Sequence, residues 1–347
     1  VPKPMPPAAR DCRIEIDERS GCDGEILTAL HEDQVVSAAR AFERAGVEAV
    51  AVCFMHAYAN PEHERLACEI LRSVWPKGYL CASHEALGEF REFERFSTTT
   101  VNAALMPLMD RYLARFEAGV RGLGVPALPR VMQSNGGAVS PTAVRRMPVN
   151  TFFSGPAGGV SGTRPLGSRI GVHDLIAFDM GGTSTDVCLI RGLDPAQKSQ
   201  REMAGFPVRA RTIDIHTIGA GGGSIARVNS AGILQVGPES AGAGPRSICY
   251  GGGGQGPTTT DANLLLGRLN PAGLLGVDRT AQLDRIREIF DKKIGAHLGL
   301  GPDEVASAIV RVANDKMAGA IRLVSLQRGH DPRDFVLFAF GGAGPLH

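Results

Sequence analysis

Two aspartates flank a glycine-rich turn near the middle of the chain, and their types and spacing suit phosphate chemistry. β-rich apolar runs precede and follow the segment Asp179-Met180-Gly181-Gly182-Thr183-Ser184-Thr185-Asp186, which is the pattern of a β-hairpin. Glycine has no Cβ, so its backbone N–H groups can approach a phosphate closely, and hydroxyl side chains add donors. A carboxylate at a strand end can hold Mg²⁺ directly or through water. This pattern fits a nucleotide-binding turn and a purely structural turn, in which the aspartates are turn formers, equally well.

Two further glycine clusters follow predicted strands. Gly-Ala-Gly-Gly-Gly-Ser at 219–224 comes after a strand-like segment at 214–217, and Gly-Gly-Ala-Gly-Pro at 341–345 comes after an apolar run at 335–340. Because ligands of α/β sheets bind at the carboxyl ends of strands, the three turns could meet one polyanionic ligand. This convergence weakens the purely structural reading. None of the turns fits a P-loop, and 219–224 runs into a strand instead of the helix that a dinucleotide fold requires.

The elements that position these turns alternate between helix and strand in the first 130 residues, which argues for α/β layers. Asp33 is a candidate N-cap, and Gly46 a candidate stop, for the first helix. The patterns predict helices over 33–44, 61–74 and 98–116 and strands over 47–54 and 79–83.

From residue 131 onward, glycine arrives in clusters that predicted strands bracket. Five such clusters occur, at 134–137, 154–159, 179–183, 219–224 and 341–345. The helical patterns that separate the last two clusters cover 260–269, 280–298 and 302–328. A predicted central strand at 335–340 then runs directly into Gly341.

Charge and hydropathy exclude several classes of partner. The chain has 37 Lys and Arg residues against 36 Asp and Glu residues, a net charge of +1, so nucleic acid and anionic membranes are not expected partners. The longest apolar runs are too short for a bilayer and the N-terminal residues lack a signal-peptide pattern, so we expect a soluble, cytoplasmic protein. Seven scattered cysteines without C-x-x-C pairs argue against a disulfide framework or a zinc site.

Length and chain ends suggest more than one domain and a longer parent protein. The 347 residues suffice for more than one core. The chain starts at Val1 without an initiator Met and stops at His347, just after a glycine-rich turn, so we expect a piece of something longer.

Asp214 and His216 are two potential metal ligands on one predicted strand. Their i, i+2 spacing places both side chains on the same face. Two ligands make half of a metal site, whereas a polar pair hydrogen-bonded to its neighbours is about three times as probable from this spacing.

The segment Phe178–Val187 resembles the phosphate motif of the actin-like ATPase superfamily. More narrowly, the chain resembles the hydantoinase A/oxoprolinase family. Supporting segments lie along nearly the whole chain, at 91–99, 133–137, 154–160, 218–225, 236–243, 260–263 and 340–347.

The resemblance implies an α/β fold with the actin-like ATPase (ribonuclease H-like) architecture, in which mixed sheets are flanked by helices and the first domain is incomplete. Residues 1–150 then correspond to the C-terminal part of the family's N-terminal domain, and residues 151–347 to a hydantoinase A-type actin-like domain. Two departures from the family pattern stand out: an earlier Asp-x-Gly-Gly-Thr hairpin is missing, and 245–250 (Pro-Arg-Ser-Ile-Cys-Tyr) carries bulk where the family has small residues.

The activity that the resemblance implies is ATP-dependent phosphorylation of the carbonyl oxygen of a cyclic amide, such as hydantoin or 5-oxoproline, to activate ring opening. One alternative is a subunit of a ketone carboxylase of the acetone or acetophenone type, and another is a scaffold or nucleotide-binding fragment without catalysis. The expected cofactors are ATP and Mg²⁺, and the expected partner is a hydantoinase B-type subunit or domain. Phosphoryl transfer needs mainly positioning and charge neutralisation, which agrees with the glycine turns.

The residues expected to carry this activity follow the three turns. Catalysis and Mg²⁺ are assigned to Asp179 and Asp186. The residues expected to bind the phosphates are Gly181, Gly182, Thr183 and Thr185. The same or the adjoining side of the site is expected to be formed by Gly221, Gly222, Gly223 and Ser224. The residues expected to bind the adenosine are Gly341, Gly342 and Gly344.

Overall fold

A computed structural model describes residues 5–242, 247–274 and 280–347. The strands are β1 Arg19–Ser20, β2 Ile26–Thr28, β3 Ala49–Val52, β4 Tyr79–Ala82, β5 Val131–Met132, β6 Ala138–Val139, β7 Leu175–Met180, β8 Thr185–Arg191, β9 Asp194–Pro195, β10 Gln197–Lys198, β11 Arg201–Met203, β12 Phe206–Val208, β13 Thr212–Ile213, β14 His216–Ile218, β15 Ser224–Val228, β16 Leu234–Ser240 and β17 Val336–Phe340. The α-helices are α1 Glu32–Arg44, α2 Glu62–Val74, α3 Ser83–Ala86, α4 Glu92–Gly122, α5 Pro141–Arg146, α6 Ser154–Arg169, α7 Thr259–Leu265, α8 Leu283–Phe290, α9 Ala296–Leu298 and α10 Pro302–Val324.

The chain divides into two compact units. Unit 1 comprises Val1–Gly158 and Gln197–Ile213, and unit 2 comprises Gly159–Ala196 and Asp214–His347. The expected family-domain boundary at residue 150 stays a prediction. No helix in the described parts of the chain is both long and apolar enough to cross a membrane.

Unit 1 contains a parallel pair of strands with helices packed on it. β3 pairs with β4, with Ala49 opposite Tyr79, and one core buries Val35 of α1, Leu71 of α2 and Trp75, the residue that follows α2. The predicted strand over 47–54 is shorter in the structure, and α1 begins after His31 instead of being capped by Asp33.

Helix α4 is longer than the sequence pattern predicts. It begins at Glu92, six residues before the predicted start. Three consecutive threonines, at 98–100, are accommodated because each hydroxyl donates to the carbonyl four residues earlier, at 2.7 Å. These β-branched residues therefore lie inside the helix instead of marking its N-terminus.

Unit 2 is built on a mixed sheet with the strand order β14-β8-β7-β17. β7 and β8 form an antiparallel hairpin, as predicted, and β17 runs parallel to β7. The prediction that β17 is central is wrong for the described sheet: it is an edge strand, with Val336 48% and Leu337 51% exposed. α7, α8 and α10 contribute to the core beside this sheet, where Phe290 and Ile309 are fully buried.

The glycine cluster at 154–159 begins helix α6 instead of forming a strand-end turn. Its last glycine is there for close packing, since a Cβ on Gly159 would lie 2.5 Å from Cε2 of Phe340. Small residues that allow close packing and small residues that allow tight turns look alike in sequence, which explains the error.

Three predicted helices in unit 2 also differ from the structure. The helix predicted over 260–269 ends at Leu265, and the one over 280–298 is interrupted by a π-helical turn at Asp291–Gly295. The one over 302–328 ends as α-helix at Val324 and continues as a 3₁₀ turn, before Gly329 adopts a left-handed conformation with φ 79°.

Candidate functional site

The β7–β8 hairpin places two carboxylates side by side. Asp179 and Asp186 are directly opposite each other in the register of the two strands, and the N–H of Gly181 closes the turn by donating to the carbonyl of Ser184 at 3.0 Å. Burial raises the pKa of Asp179, and the neighbouring negative charge of Asp186 raises it further. A cation between these two groups would therefore favour the ionised form of both.

Hydrogen bonds from two hydroxyl groups link the hairpin to β14 and to the turn that follows β14. The hydroxyl of Thr217 donates to Asp186, and the hydroxyl of Thr185 donates to the carbonyl of Ala220. Thr185 is fully buried, so its side chain stabilises the turn from inside.

The turn at 219–224 packs directly on the tip of the hairpin. The N–H of Gly222 donates to the carbonyl of Gly181 at 3.0 Å, and that of Gly223 donates to the carbonyl of Gly182 at 2.6 Å. A Cβ on Gly221 would lie 2.7 Å from the carbonyl carbon of Gly182 and from the nitrogen of Thr183. The two turns can approach this closely only because glycine occupies position 221.

Contacts on the far side fix the same turn in place. The Ser224 hydroxyl accepts a hydrogen bond from the N–H of Gly221 at 2.8 Å and is fully buried. The carbonyl of Gly222 accepts a hydrogen bond from the N–H of Thr260 at 2.7 Å, and the carbonyl of Gly223 accepts one from Ala241 at 2.9 Å. The turn is thus held from α7 as well as from the hairpin.

The turn after β17 meets the hairpin on the Asp179 side. Gly341 has φ 82°, and a Cβ there would overlap the Asp179 carboxylate and lie 2.9 Å from the carbonyl carbon of Met180. The N–H of Ala343 donates to the carbonyl of Met180 at 2.9 Å. Gly344 is buried against the same strand, whereas Gly342 is exposed. The structure therefore brings the other two predicted turns onto the hairpin that carries both carboxylates, one at its tip and one beside Asp179.

The residues present fit a Mg²⁺-bound polyphosphate. Gly182 and Thr183 are exposed at the hairpin tip, and no atom lies within 4 Å of a Cβ built on Gly182, so a ligand can approach the tip at Gly182. Among the described residues no three His, Cys, Asp or Glu side chains form a metal cluster. Two carboxylates alone nevertheless suit Mg²⁺, which usually keeps several waters and takes the rest of its ligands from substrate phosphates.

A second polar group near the end of β17 escaped the sequence predictions. His347 Nδ1 lies 2.7 Å from Asn314 Oδ1, its Nε2 lies 3.1 Å from Asn263 Nδ2, and Arg268 donates to the carbonyl of Leu346 at 2.8 Å. Burial, followed by the positive charge of Arg268, lowers the pKa of His347 to about 4, so the ring is neutral at pH 7.

A capping box, for which the sequence carried a signal, starts the helix that contributes Asn263. The Thr258 hydroxyl accepts from the N–H of Asp261, and the Asp261 carboxylate accepts in return from the N–H of Thr258. The same carboxylate also accepts from the N–H of Cys249 at 2.8 Å. The Thr-x-x-Asp spacing is the recognisable signature of this arrangement.

Asp214 is engaged by an arginine. Its buried carboxylate lies 2.7 Å from Nη1 of Arg328, and His216 lies on β14 opposite Val187. This ion pair supports the structural interpretation of Asp214. The bulk at Pro245 and Arg246 lies outside the described residues.

The sheet order, together with the three glycine turns that meet at the β7–β8 hairpin, defines an α/β domain of the actin-like ATPase type. The chain belongs to the hydantoinase/oxoprolinase family: the sequence profile described as Hydantoinase/oxoprolinase matches residues 95–347, and the profile of the Hydantoinase/oxoprolinase N-terminal region matches residues 3–75.

Two enzymes or enzyme subunits named for cyclic amides are similar in sequence to this chain. The alpha subunit of caprolactamase from Pseudomonas jessenii is 40% identical over 97% of this chain and 49% of its own length. A 5-oxoprolinase from Dictyostelium discoideum is 34% identical over 95% of this chain and 28% of its own length.

Two solved structures are similar over 96% of this chain. The ATP-dependent caprolactamase of Pseudomonas jessenii gives a TM-score of 0.82 at 38% identity, covering 48% of that chain. The nucleotide-free acetone carboxylase gives 0.78 at 29% identity, covering 47% of that chain. The chain thus spans about half the length of the caprolactamase and acetone carboxylase chains that it matches.

Proposed function

We propose that this chain is the ATP-using part of a cytoplasmic enzyme that phosphorylates the carbonyl oxygen of a cyclic amide. The observation that carries the proposal is the meeting of three glycine turns at the hairpin that bears Asp179 and Asp186. The relatives support the choice of reaction, since caprolactamase and 5-oxoprolinase are both named for cyclic amides. The substrate is accordingly a small lactam or a hydantoin.

In this proposal Asp179 and Asp186 hold Mg²⁺, and backbone N–H groups of the exposed tip residues Gly182 and Thr183 bind phosphate oxygens. When bound, ATP and Mg²⁺ supply the phosphoryl group and neutralise its charge. The residues themselves act by position: the hairpin keeps both carboxylates on adjacent strands, and the packing of Gly221 against Gly182 keeps the turn rigid.

The turn at 341–344 is assigned to the adenosine. Its support is the exposed backbone of Gly342 beside the buried Gly344 and the contact of Gly341 with Asp179. A base or sugar can approach glycine backbone closely, as it could not approach a branched side chain. The proposal also includes the assignment of residues 151–347 to a hydantoinase A-type actin-like domain.

O-phosphorylation activates the amide carbon toward water: water adds to this carbon, the ring C–N bond breaks with the nitrogen leaving as an amine, and hydrolysis of the resulting acyl phosphate releases phosphate. We assign the ring opening that follows to a hydantoinase B-type partner subunit or domain. The support is indirect: the relative with 40% identity is called an alpha subunit.

A ketone carboxylase subunit is the second candidate. The similarity to acetone carboxylase, with a TM-score of 0.78, and to the acetophenone carboxylase gamma subunit of Aromatoleum aromaticum, with 32% identity, favours it. The same turns would then serve phosphorylation of a ketone enol and of bicarbonate. A scaffold without catalysis is the third reading, which nucleotide turnover would exclude.

Phosphate release from Mg-ATP tests these candidates. The full-length protein with its partner subunit is offered 5-oxoproline, hydantoin and caprolactam in turn, and acetone or acetophenone with bicarbonate in parallel. We expect stimulation by at least one cyclic amide and none by the ketones. Stimulation that depends on ketone and bicarbonate selects the carboxylase, and no stimulation by any compound contradicts both enzymatic readings.

A further inference from the structure

Every N–H group of the glycine turn from Ala220 to Ser224 is already hydrogen-bonded inside unit 2. The acceptors are, in order, the carbonyl of Ile218, the hydroxyl of Ser224 and the carbonyls of Gly181, Gly182 and Gly221, at 2.6–3.0 Å. A phosphate therefore finds no available N–H on this stretch, although glycine turns commonly bind anions in that way. The turn contributes to the candidate site through the groups that it holds.

One peptide group of this turn connects helix α7 to the hairpin tip. The carbonyl of Gly222 accepts two hydrogen bonds from Thr260, one from its N–H at 2.7 Å and one from its hydroxyl at 2.8 Å. The N–H of the same peptide group belongs to Gly223 and donates to the carbonyl of Gly182 at 2.6 Å. A Cβ on Gly222 would lie 2.8 Å from the Thr260 hydroxyl, so glycine at this position lets the hydroxyl reach the carbonyl.

A second peptide group continues this connection to the exposed end of the hairpin. The carbonyl of Gly182 and the N–H of Thr183 belong to one trans peptide group, so this N–H points away from Gly223. Thr183 is exposed, and its N–H has no hydrogen-bond partner among the described residues. The two donors of Thr260 are thus connected, through two peptide groups, to an N–H that a phosphate can accept.

Hydrogen bonds that are joined through peptide groups strengthen one another. A carbonyl that accepts a hydrogen bond polarises its peptide group, and the N–H of that group becomes a better donor, by about 10–30% per bond. Gly222 and Gly223 are buried, where the low effective dielectric strengthens each bond further. The two hydrogen bonds from Thr260 therefore make the Gly223 N–H, and in turn the Thr183 N–H, better donors to an anion.

We propose that Thr260 is a positioning residue for the phosphate, acting through the peptide groups 222–223 and 182–183 on the N–H of Thr183. The capping box of Asp261 fixes the start of α7, so Thr260 is held in place as well. A phosphate oxygen then meets a donor that is oriented and polarised before the nucleotide arrives. This inference rests on the proposed nucleotide-dependent function and adds a residue that lies outside the three glycine turns.

Thr163 provides a matched control for Thr260. Its hydroxyl also donates to a backbone carbonyl, that of Val160 at 2.7 Å, and it is buried in α6 of the same unit. Thr260→Val and Thr163→Val therefore make the same chemical change, and each should lower the stability of unit 2 to a similar extent. Only Thr260→Val interrupts the connection to Thr183.

Calorimetric titration of the purified chain with Mg²⁺ and a non-hydrolysable ATP analogue measures the effect on affinity. We expect Thr260→Val to bind about two- to fivefold more weakly than the wild type, which corresponds to weakening one hydrogen bond to a charged group by up to about a third. Thr260→Ser, which keeps the hydroxyl, should restore the affinity, and Thr163→Val should bind as the wild type does. Equal affinity in Thr260→Val and the wild type, or an equal loss in both valine variants, overturns the proposal.

One NMR signal reports on the Thr183 N–H itself. The sequence contains only two threonines that follow a glycine, Thr163 and Thr183. Protein labelled with carbonyl-¹³C glycine and ¹⁵N threonine therefore gives two signals in a carbonyl-filtered amide spectrum, and Thr163→Val assigns them by removing one. In the ligand-free protein, Thr260→Val should move the Thr183 amide proton upfield, because its peptide group is less polarised, and Thr260→Ser should return it. An unmoved Thr183 signal in Thr260→Val, or an equal shift of the Thr163 signal, contradicts the proposal.

The two measurements separate this proposal from the proposed function. If Thr260→Val moves the Thr183 signal but no nucleotide binds to the wild type, the connection stands and the nucleotide assignment fails. If the nucleotide binds and Thr260→Val changes neither signal nor affinity, the nucleotide assignment stands and the role of Thr260 fails. Thermal unfolding identifies any loss that comes from misfolding. Thr260→Ala removes the same hydroxyl without placing a methyl group against the Gly222 carbonyl, and it keeps the test usable if Thr260→Val does not fold.

Discussion

Replacing Gly221 by alanine should separate the two turns that form the centre of the candidate site. The new Cβ would lie 2.7 Å from the backbone of Gly182 and Thr183, whereas ordinary contacts begin at 3.4 Å. The turns must therefore move apart by about 0.7 Å, because the obstructing atoms are backbone and cannot rotate away. The hydrogen bond from Gly223 to Gly182, at 2.6 Å, is the first to be lost.

We expect this change to destabilise unit 2 by about 1–3 kcal/mol, the usual cost of inserting a methyl group into a packed region. Misplacing a phosphate-binding turn by a large fraction of an ångström should also lower the rate of phosphate release about 10- to 100-fold. Urea unfolding measures the first effect, and phosphate release from Mg-ATP in the presence of the cyclic amide measures the second.

Gly162→Ala provides the matched control for Gly221→Ala. Gly162 lies in α6, in the same unit, and no atom lies within 4 Å of its added Cβ. Alanine there should stabilise the protein by about 0.5–1 kcal/mol and leave phosphate release unchanged. If Gly221→Ala matches the wild type in both assays, the described contact between the turns is wrong.

Three other substitutions test separate parts of the account. Gly182→Ala should leave stability unchanged, since its Cβ meets nothing within 4 Å, but should weaken binding of a Mg-ATP analogue about tenfold or more in calorimetry, because the methyl group occupies the phosphate space. Asp179 has a raised pKa in the folded state, so its contribution to stability falls as pH rises above the ordinary value of 3.8. In urea titrations without Mg²⁺, Asp179→Asn should therefore be more stable than the wild type at pH 7, and the difference should vanish below about pH 4. Arg328→Ala removes the guanidinium from the buried Asp214 carboxylate and should cost about 3 kcal/mol of unfolding free energy, and a loss below about 0.5 kcal/mol would contradict the buried ion pair.

Local chemistry made the hairpin predictable. The Asp179–Asp186 segment combines strand-forming runs with glycine and hydroxyl residues, and these signals lie within a few positions of one another. The hairpin is confirmed, and the strand register places the two aspartates directly opposite each other. The family and the α/β fold also followed from the motifs, because several segments along the chain matched together.

Contacts between distant segments were beyond the sequence. The glycines at 154–159 resemble a turn, and only the neighbouring Phe340 ring explains a glycine inside α6. The apolar run of β17 looks like a central strand, yet its exposure depends on which strands lie beside it. Thr185 and Ser224 look like phosphate ligands in sequence, whereas the structure shows their hydroxyls buried and bonded to backbone.

Calorimetric titration of this chain with a non-hydrolysable Mg-ATP analogue tests the central claim most directly. The account predicts one saturable site in roughly the micromolar to millimolar range for the wild type and an affinity at least about tenfold lower for Asp186→Asn, because that substitution removes one of two carboxylates from the Mg²⁺ site. Absence of saturable binding, or equal affinity in the wild type and the variant, would contradict the assignment of the three glycine turns to a nucleotide.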